Sequence, residues 1–256
     1  MKNEIKNLGN QTGYIDKESL PTLGTVSRNQ NGYPIGYFFG YKAIGVFQTQ
    51  EEIDNYISPA TGKPIQPNAV PGDTKFEDLN GDGVISDDNE DRTMIGKPNP
   101  DWMVGLTVAA DWNGFDLSAF FQGSFGADVF DALRRYELAA VNYTSDALER
   151  WTGPGTSNSM PRIVLGDTPK NFRPSTLLVH DASFLRLRNL QVGYTLPAQL
   201  TRKAYIQRLR FYASFDNLLT ITGYKGMDPE IGSTMGIDKG VYPQARVYTF
   251  GLNLTF

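Results

Sequence analysis

The side chains best placed to do chemistry lie in Asp78-Leu79-Asn80-Gly81-Asp82-Gly83-Val84-Ile85-Ser86. Asp78, Asn80 and Asp82 set oxygen ligands at positions one, three and five, Gly83 follows at six, and Val84 offers its carbonyl at seven. Calcium is held by such an array, the glycine permitting the sharp turn. The twelfth position is Asn89 instead of the expected bidentate Glu, so a neighbouring carboxylate must complete the set. Asp91 is the expected one, with Asp87, Asp88 and Glu90 as alternatives. The same residues would equally make a solvated acidic turn whose side chains cap their own backbone. The sequence leaves both readings open.

Other chemistry is thinner. His180 is the single histidine and cysteine is absent, so multi-histidine metal sites, thiolate sites and disulfides are excluded. Asp181 follows His180, but no nucleophile motif accompanies the pair, which reads as a surface pair. Glu137 and Glu149 are two carboxylates on a segment with helical spacing, where paired-acid hydrolysis competes with a solvated face. Arg186 and Arg188 alternate with Leu185 and Leu187, pointing either into a lumen or toward lipid headgroups. Tyr33, Tyr37, Phe38, Phe39, Tyr41, Tyr143, Tyr224 and Tyr242 could stack on sugars or pack loop against loop. None of these fixes a substrate-binding residue or a catalytic one.

The elements that must position these residues are strands. With 256 residues the chain suits one large all-β domain or two ordinary ones, and its net charge of -4 gives no basic patch for nucleic acid. No apolar run is long enough for a transmembrane helix, and Met1-Lys2-Asn3-Glu4-Ile5-Lys6 opens no signal peptide. Trp102, Val104, Leu106, Val108, Ala110 and Trp112 alternate with small or polar residues up to Asn113-Gly114. Phe115, Leu117, Ala119 and Phe121 then return on the same pattern, which predicts a hairpin. Leu190, Val192, Tyr194 and Leu196 repeat it, as do Leu209, Phe211, Ala213 and Phe215. Tyr248, Phe250, Leu252, Leu254 and Phe256 close the chain the same way. Gly36 to Phe47 is a further aromatic strand, and residues 1–34 read as loop or frayed strand. Glu51–Ile57 suggests a short helix, and Asp128 to Trp151 a longer one through Val129, Leu133, Tyr136, Leu138, Ala139 and Ala140.

Short turns (Asn113-Gly114 and Pro197 to Gln207) alternate with long insertions at 48–101, 125–180 and 219–243. Outer-membrane barrels have that asymmetry, with apolar residues out and polar residues in. Five or six strands are too few to close a barrel in lipid, where unpaired edges are expensive. The whole chain, 1–256, is therefore expected to be part of a larger barrel.

The motif series is similar to the C-terminal third of the SusC/RagA family. It runs from Pro34-Ile35-Gly36-Tyr37-Phe38-Phe39-Gly40-Tyr41 through Pro71-Gly72-Asp73 and Asp78-Leu79-Asn80-Gly81-Asp82-Gly83 to Ile95-Gly96-Lys97-Pro98. It continues with Glu149-Arg150-Trp151-Thr152, Phe184-Leu185-Arg186-Leu187-Arg188-Asn189-Leu190, Asp228-Pro229-Glu230 and Tyr242-Pro243-Gln244. The resemblance implies a TonB-dependent outer-membrane transporter with a barrel of about 22 strands and an N-terminal plug. It implies a SusD-like surface lipoprotein as partner, import of glycans or peptides, and TonB contact through a region outside this chain. It also implies that Tyr248, Phe250, Leu252, Leu254 and Phe256 form the terminal signal read by the barrel-assembly machinery. A calcium-stabilised soluble β domain binding carbohydrate through loop aromatics is the competing expectation.

Overall fold

The computed structural model describes residues 3–138, 141–231 and 235–256. Chain order is β1 (Tyr14–Leu20), β2 (Gly24–Gln30), β3 (Tyr37–Tyr41), β4 (Ala43–Val46), α1 (Gln50–Asp54), β5 (Thr74–Phe76) and β6 (Arg92–Gly96). The long strands β7 (Trp102–Trp112) and β8 (Phe115–Phe125) follow, then β9 (Asp128–Asp131), β10 (Val179–Asp181) and β11 (Phe184–Thr195). The chain ends through α2 (Ala198–Thr201), β12 (Arg208–Thr222), β13 (Ile237–Asp238) and β14 (Val247–Thr255).

Five strands form an antiparallel wall in the order β14-β12-β11-β8-β7. The predicted hairpin is its first turn: Asn113 and Gly114 take φ of 49° and 88°, the left-handed pair a two-residue connection needs. Register carries the sequence alternation across the wall. Trp112 pairs with Phe115, Phe115 with Tyr194, Tyr194 with Phe211 and Phe211 with Leu252. Val108, Ala119, Leu190, Phe215 and Tyr248 make a second apolar row. The opposite face is polar, with Ala109, Ser118, Gln191, Ser214 and Thr249 in one row.

The apolar face is bare: Trp102 is 72% exposed and Phe250 76%. A contiguous apolar surface of five strands is far beyond what a soluble monomer shows to water. β7 and β8 have 11 residues each, about 36 Å long at ~3.3 Å per residue. Tilted by about 45°, they rise roughly 25 Å, the height of a barrel's apolar band. Among the described residues β7 and β14 each have one strand neighbour, so both edges of the wall are open.

Apart from α2, which sits in the short β11–β12 connection beside the Asn113-Gly114 turn, the remaining elements gather at the opposite end of the wall. Sheets β1-β2-β3-β6, β4-β5 and β10-β9-β13 build this loop block. Its core holds Val26, Phe38, Phe130, Leu178 and Ile237, with Phe38 and Phe130 rings 5.9 Å apart. The two large insertions are keyed together at Gly72, whose φ is +92° and where an added Cβ would lie 2.4 Å from the Trp151 ring.

Three expectations need correction. Of the loop or frayed strand expected over 1–34, residues 14–30 are strand, paired as the β1–β2 hairpin, because Val26, Ser27 and Arg28 are buried against β3 and cross-strand pairing overrides a polar composition. The Gly36 to Phe47 strand breaks at Lys42 into β3 and β4, which join different sheets. The helix expected over Asp128 to Trp151 is absent from the described part of that stretch. Val129 and Phe130 sit in β9 between β10 and β13, and only Ser145–Glu149 coils, as a 3-10 turn. Burial in a sheet outweighs a weak helical period there. Ala139 and Ala140 lie outside the described residues. The short helix expected at Glu51–Ile57 forms as α1, capped by the Thr49 hydroxyl accepting from Glu52 N.

Candidate functional site: the loop block and the polar face beneath it

The polar face of the wall carries its strongest chemistry at the loop end. Arg186 is only 2% exposed. Its guanidinium donates to Thr220 Oγ1 at 2.8 Å, to Asp228 Oδ1 at 2.5 Å and to Glu230 Oε2 at 3.0 Å. Arg188 donates to Gln122, Asn217 and Glu230. Asp228 also accepts from the amides of Glu230 and Gln244. Both arginines therefore face inward, and they pin the β12–β14 connection down onto the wall. A bulge makes this possible. Pairing steps from Leu187 to Asn189 on both sides of β11, leaving Arg188 out of register. The inward set shifts there from even to odd numbers, so Arg186, Arg188 and Asn189 all reach the polar side.

The acidic loop folds on itself. Asp78 accepts from the amides of Gly81 and Gly83, Asn80 from that of Asp82, and Asp82 from that of Val84. Asp91, fully buried, accepts from the amides of Leu79 and Ser86, 3.1 and 3.0 Å away. The five expected residues thus share one loop, in which Asp78, Asn80, Asp82 and Asp91 each cap backbone amides. Among the described residues, no group of three or more His, Cys, Asp or Glu is set to hold a metal ion.

His180 turns away from its sequence neighbour. Its Nε2 lies 3.7 Å from Asp131 and 3.4 Å from Arg134, while Asp181 accepts from the Ser183 amide. Burial holds its pKa below the ordinary value, and Arg134 adds to that. Glu137 is paired with Arg135, whereas Glu149 stands in solvent on the 3-10 turn. Of the loop aromatics, Tyr37, Phe38, Phe39, Tyr41 and Tyr224 are buried in packing, and Tyr143 and Tyr242 are exposed. Sequence reasoning overlooked two arginines, Arg92 and Arg173, on either side of Tyr41. They are 81 positions apart by number, and only the fold brings them together.

A five-stranded wall, apolar outside and polar inside, with short turns at one end and a loop block at the other, is a piece of a transmembrane β-barrel. No protein-family model matches the chain. Curated proteins do. TonB-dependent receptor P3 of Formosa agariphila is 34% identical over 238 residues, 89% of this chain and 23% of the receptor. TonB-dependent receptor SusC of Bacteroides thetaiotaomicron is 30% identical over 257 residues, 99% of this chain and 23% of the receptor. Among solved structures, the RagAB peptide importer in its open-open state aligns with a TM-score of 0.68 at 28% identity. That alignment covers 99% of this chain and 25% of the other. The chain belongs to the SusC/RagA family of TonB-dependent receptors. It spans about a quarter of the length of the relatives it matches. Those relatives are named as TonB-dependent receptors and as a peptide importer.

Proposed function

We propose that this chain is the wall-and-loop segment of an outer-membrane importer of oligomeric nutrients, glycans or peptides, and that it does no catalysis. The observation that carries the reading is the continuous apolar face of β7, β8, β11, β12 and β14 with a structured loop block above it. A relative described as a peptide importer supports the transport half. On this reading the loop block meets the incoming oligomer and a SusD-like lipoprotein. Energy arrives through TonB at a plug encoded elsewhere in the receptor, and the barrel-assembly machinery inserts the wall into outer-membrane lipid. The soluble-domain alternative is disfavoured by the same bare face.

The test uses the full-length receptor containing this segment. It should fractionate with outer membranes and support growth on an oligomeric nutrient, and removal of the 125–180 insertion should abolish uptake with the barrel still inserted. A receptor recovered in the soluble fraction, or uptake unaffected by that deletion, would sink the reading. Calcium belongs to this proposal as a brace for the loop rim. It would bind Asp78, Asn80, Asp82, the Val84 carbonyl and Asp91, whose oxygens keep lone pairs beyond the amide bonds they accept. Calorimetric titration of the full receptor should then show calcium uptake that the Asp78→Ala variant loses; a flat titration removes the ion from the account.

A further inference from the structure

Two cavities in the loop block share a wall. The larger, about 710 Å³, has Pro64, Pro67, Val84 and Ile85 in its lining. The smaller, about 460 Å³, is lined by Tyr41, Arg92, Glu137 and Asp167 among others. Thr168, Lys170 and Arg173 line both. Both volumes fall in the range of ligand sites, roughly 300–1,000 Å³.

The two arginines at this junction are held in place before any ligand arrives. The Arg173 guanidinium lies 4.8 Å from the Tyr41 ring and 4.9 Å from the Phe76 ring, donates Nε to the Lys170 carbonyl, and is 15% exposed. Arg92 lies 4.3 Å from the Phe39 ring and 5.7 Å from Tyr41. It donates to the carbonyls of Thr25 and Phe39 and to the Asn89 side chain. No carboxylate pairs with Arg92 among the described residues. Lys170 has a φ of 58°, a backbone conformation that side chains other than Gly and Asn seldom adopt and that concentrates at binding sites. Among the described residues one carboxylate is ion-paired with Lys170 and Arg173: Asp87 contacts Lys170 Nζ and lies 3.8 Å from Arg173 Nη1, although it is 66% exposed. Arg173 is fixed by packing, and the Lys170 ammonium, its side chain 54% exposed, is held by Asp87 alone among the described residues. Such an exposed contact from a separate acidic loop is displaceable, since surface ion pairs contribute little.

We propose that Lys170 and Arg173, backed by Arg92, form a carboxylate-binding subsite at the junction of the two cavities, with Asp87 holding the place that a carboxylate of the incoming oligomer takes. The inference deepens the importer reading and rests on it. Exchange of one carboxylate for another conserves charge, so the guanidinium is never left unpaired, whereas a ligand bearing hydroxyls alone would leave it so. Cavities on both sides of the shared wall accommodate the units flanking the charged one, which is why the ligand is an oligomer. Acidic peptides and uronate oligosaccharides share this chemistry.

The test measures binding of two probes, hexaglutamate and tetragalacturonate, to the detergent-solubilised full-length receptor, with hexaglutamine and maltotetraose as neutral counterparts. At least one acidic probe should bind better than its neutral counterpart, and which one does so identifies the source. Lys170→Ala with Arg173→Ala should weaken that binding by about 10-fold or more, the range for hydrogen bonds to charged groups. Asp87→Asn should tighten it several-fold, an opposite sign that a folding defect would not produce. Lys170→Arg should bind close to wild type. Equal binding of acidic and neutral probes, no binding of either acidic probe, or a loss in Asp87→Asn like that of the double variant would overturn the subsite. Failure of the importer reading has a different signature: no outer-membrane insertion, or no growth on any oligomer.

Discussion

Arg186, 2% exposed, is bonded to Asp228 and Glu230 at once. Arg186→Ala would strand the buried Asp228, while Glu230 keeps Arg188, and breaking a buried pair from one side costs about 3–5 kcal/mol. The β12–β14 connection should then become protease-sensitive near Asp228, with the wall itself still resistant; equal resistance to wild type would refute the clamp. Arg186→Lys should recover only part of the loss, because one ammonium cannot serve Thr220, Asp228 and Glu230 with the guanidinium's fixed fork. The arginine pair was legible in the sequence, but its carboxylate partners Asp228 and Glu230 stand 42 to 44 positions away and no local signal ties them to it. Two titrating groups give a second expectation. His180 has a lowered pKa in the fold, so it favours folding while neutral, and that contribution fades as pH falls through its ordinary value of 6.5. Burial pushes Asp167 up to about 6, against the amides of Asn171 and Phe172, whose hydrogen bonds pull it down. Its folded form holds the proton more tightly, so its contribution is favourable below 3.8 and is lost as pH rises through about 6. Melting curves of the loop block for His180→Gln should lose the acid-side decline, and those for Asp167→Asn should flatten between pH 4 and 6.

At the scale of elements, the turn and the insertion key make the sharpest expectations. Gly114→Val places a branched residue at a φ of 88° and drives its Cβ to 2.8 Å from the Thr195 carbonyl. We expect the full receptor to lose about 1–3 kcal/mol from the positive-φ strain alone and to refold more slowly into detergent. Gly72→Ala should loosen the 48–101 insertion from the 125–180 insertion, read as new proteolytic nicks in both at once; nicks in only one would deny the keying by Trp151. The β7–β8 hairpin and β14 were readable because the wall faces two different solvents, so the chain must alternate there. The loop block obeys no such rule. Phe38 and Phe130 are buried on sheets that pack against other sheets, and β9 carries residues whose spacing mimics a helix. The Arg188 bulge was equally hidden, since alternation on either side of it looks unbroken until both neighbours are paired.

Across the whole molecule, the division between a lipid face and a wet face predicts an asymmetric response to charge. Leu252→Arg should impair insertion by about 2–4 kcal/mol if Leu252 lies near the midplane, whereas Asn253→Arg, one residue on, should be tolerated. Folding titrations into lipid vesicles measure both, and equal penalties would contradict the assigned faces. The open edge along β14 has a consequence of its own. Whatever strand hydrogen-bonds there inherits a parity rule from Tyr248, Phe250, Leu252 and Leu254. Its residues opposite those four must be apolar and the intervening ones small or polar. A shift of one residue would turn the mating strand's own small or polar row toward hydrocarbon. The mating strand is therefore selected by the evenness of its register, a property that can be checked by introducing paired cysteines at even and at odd offsets and asking which set cross-links.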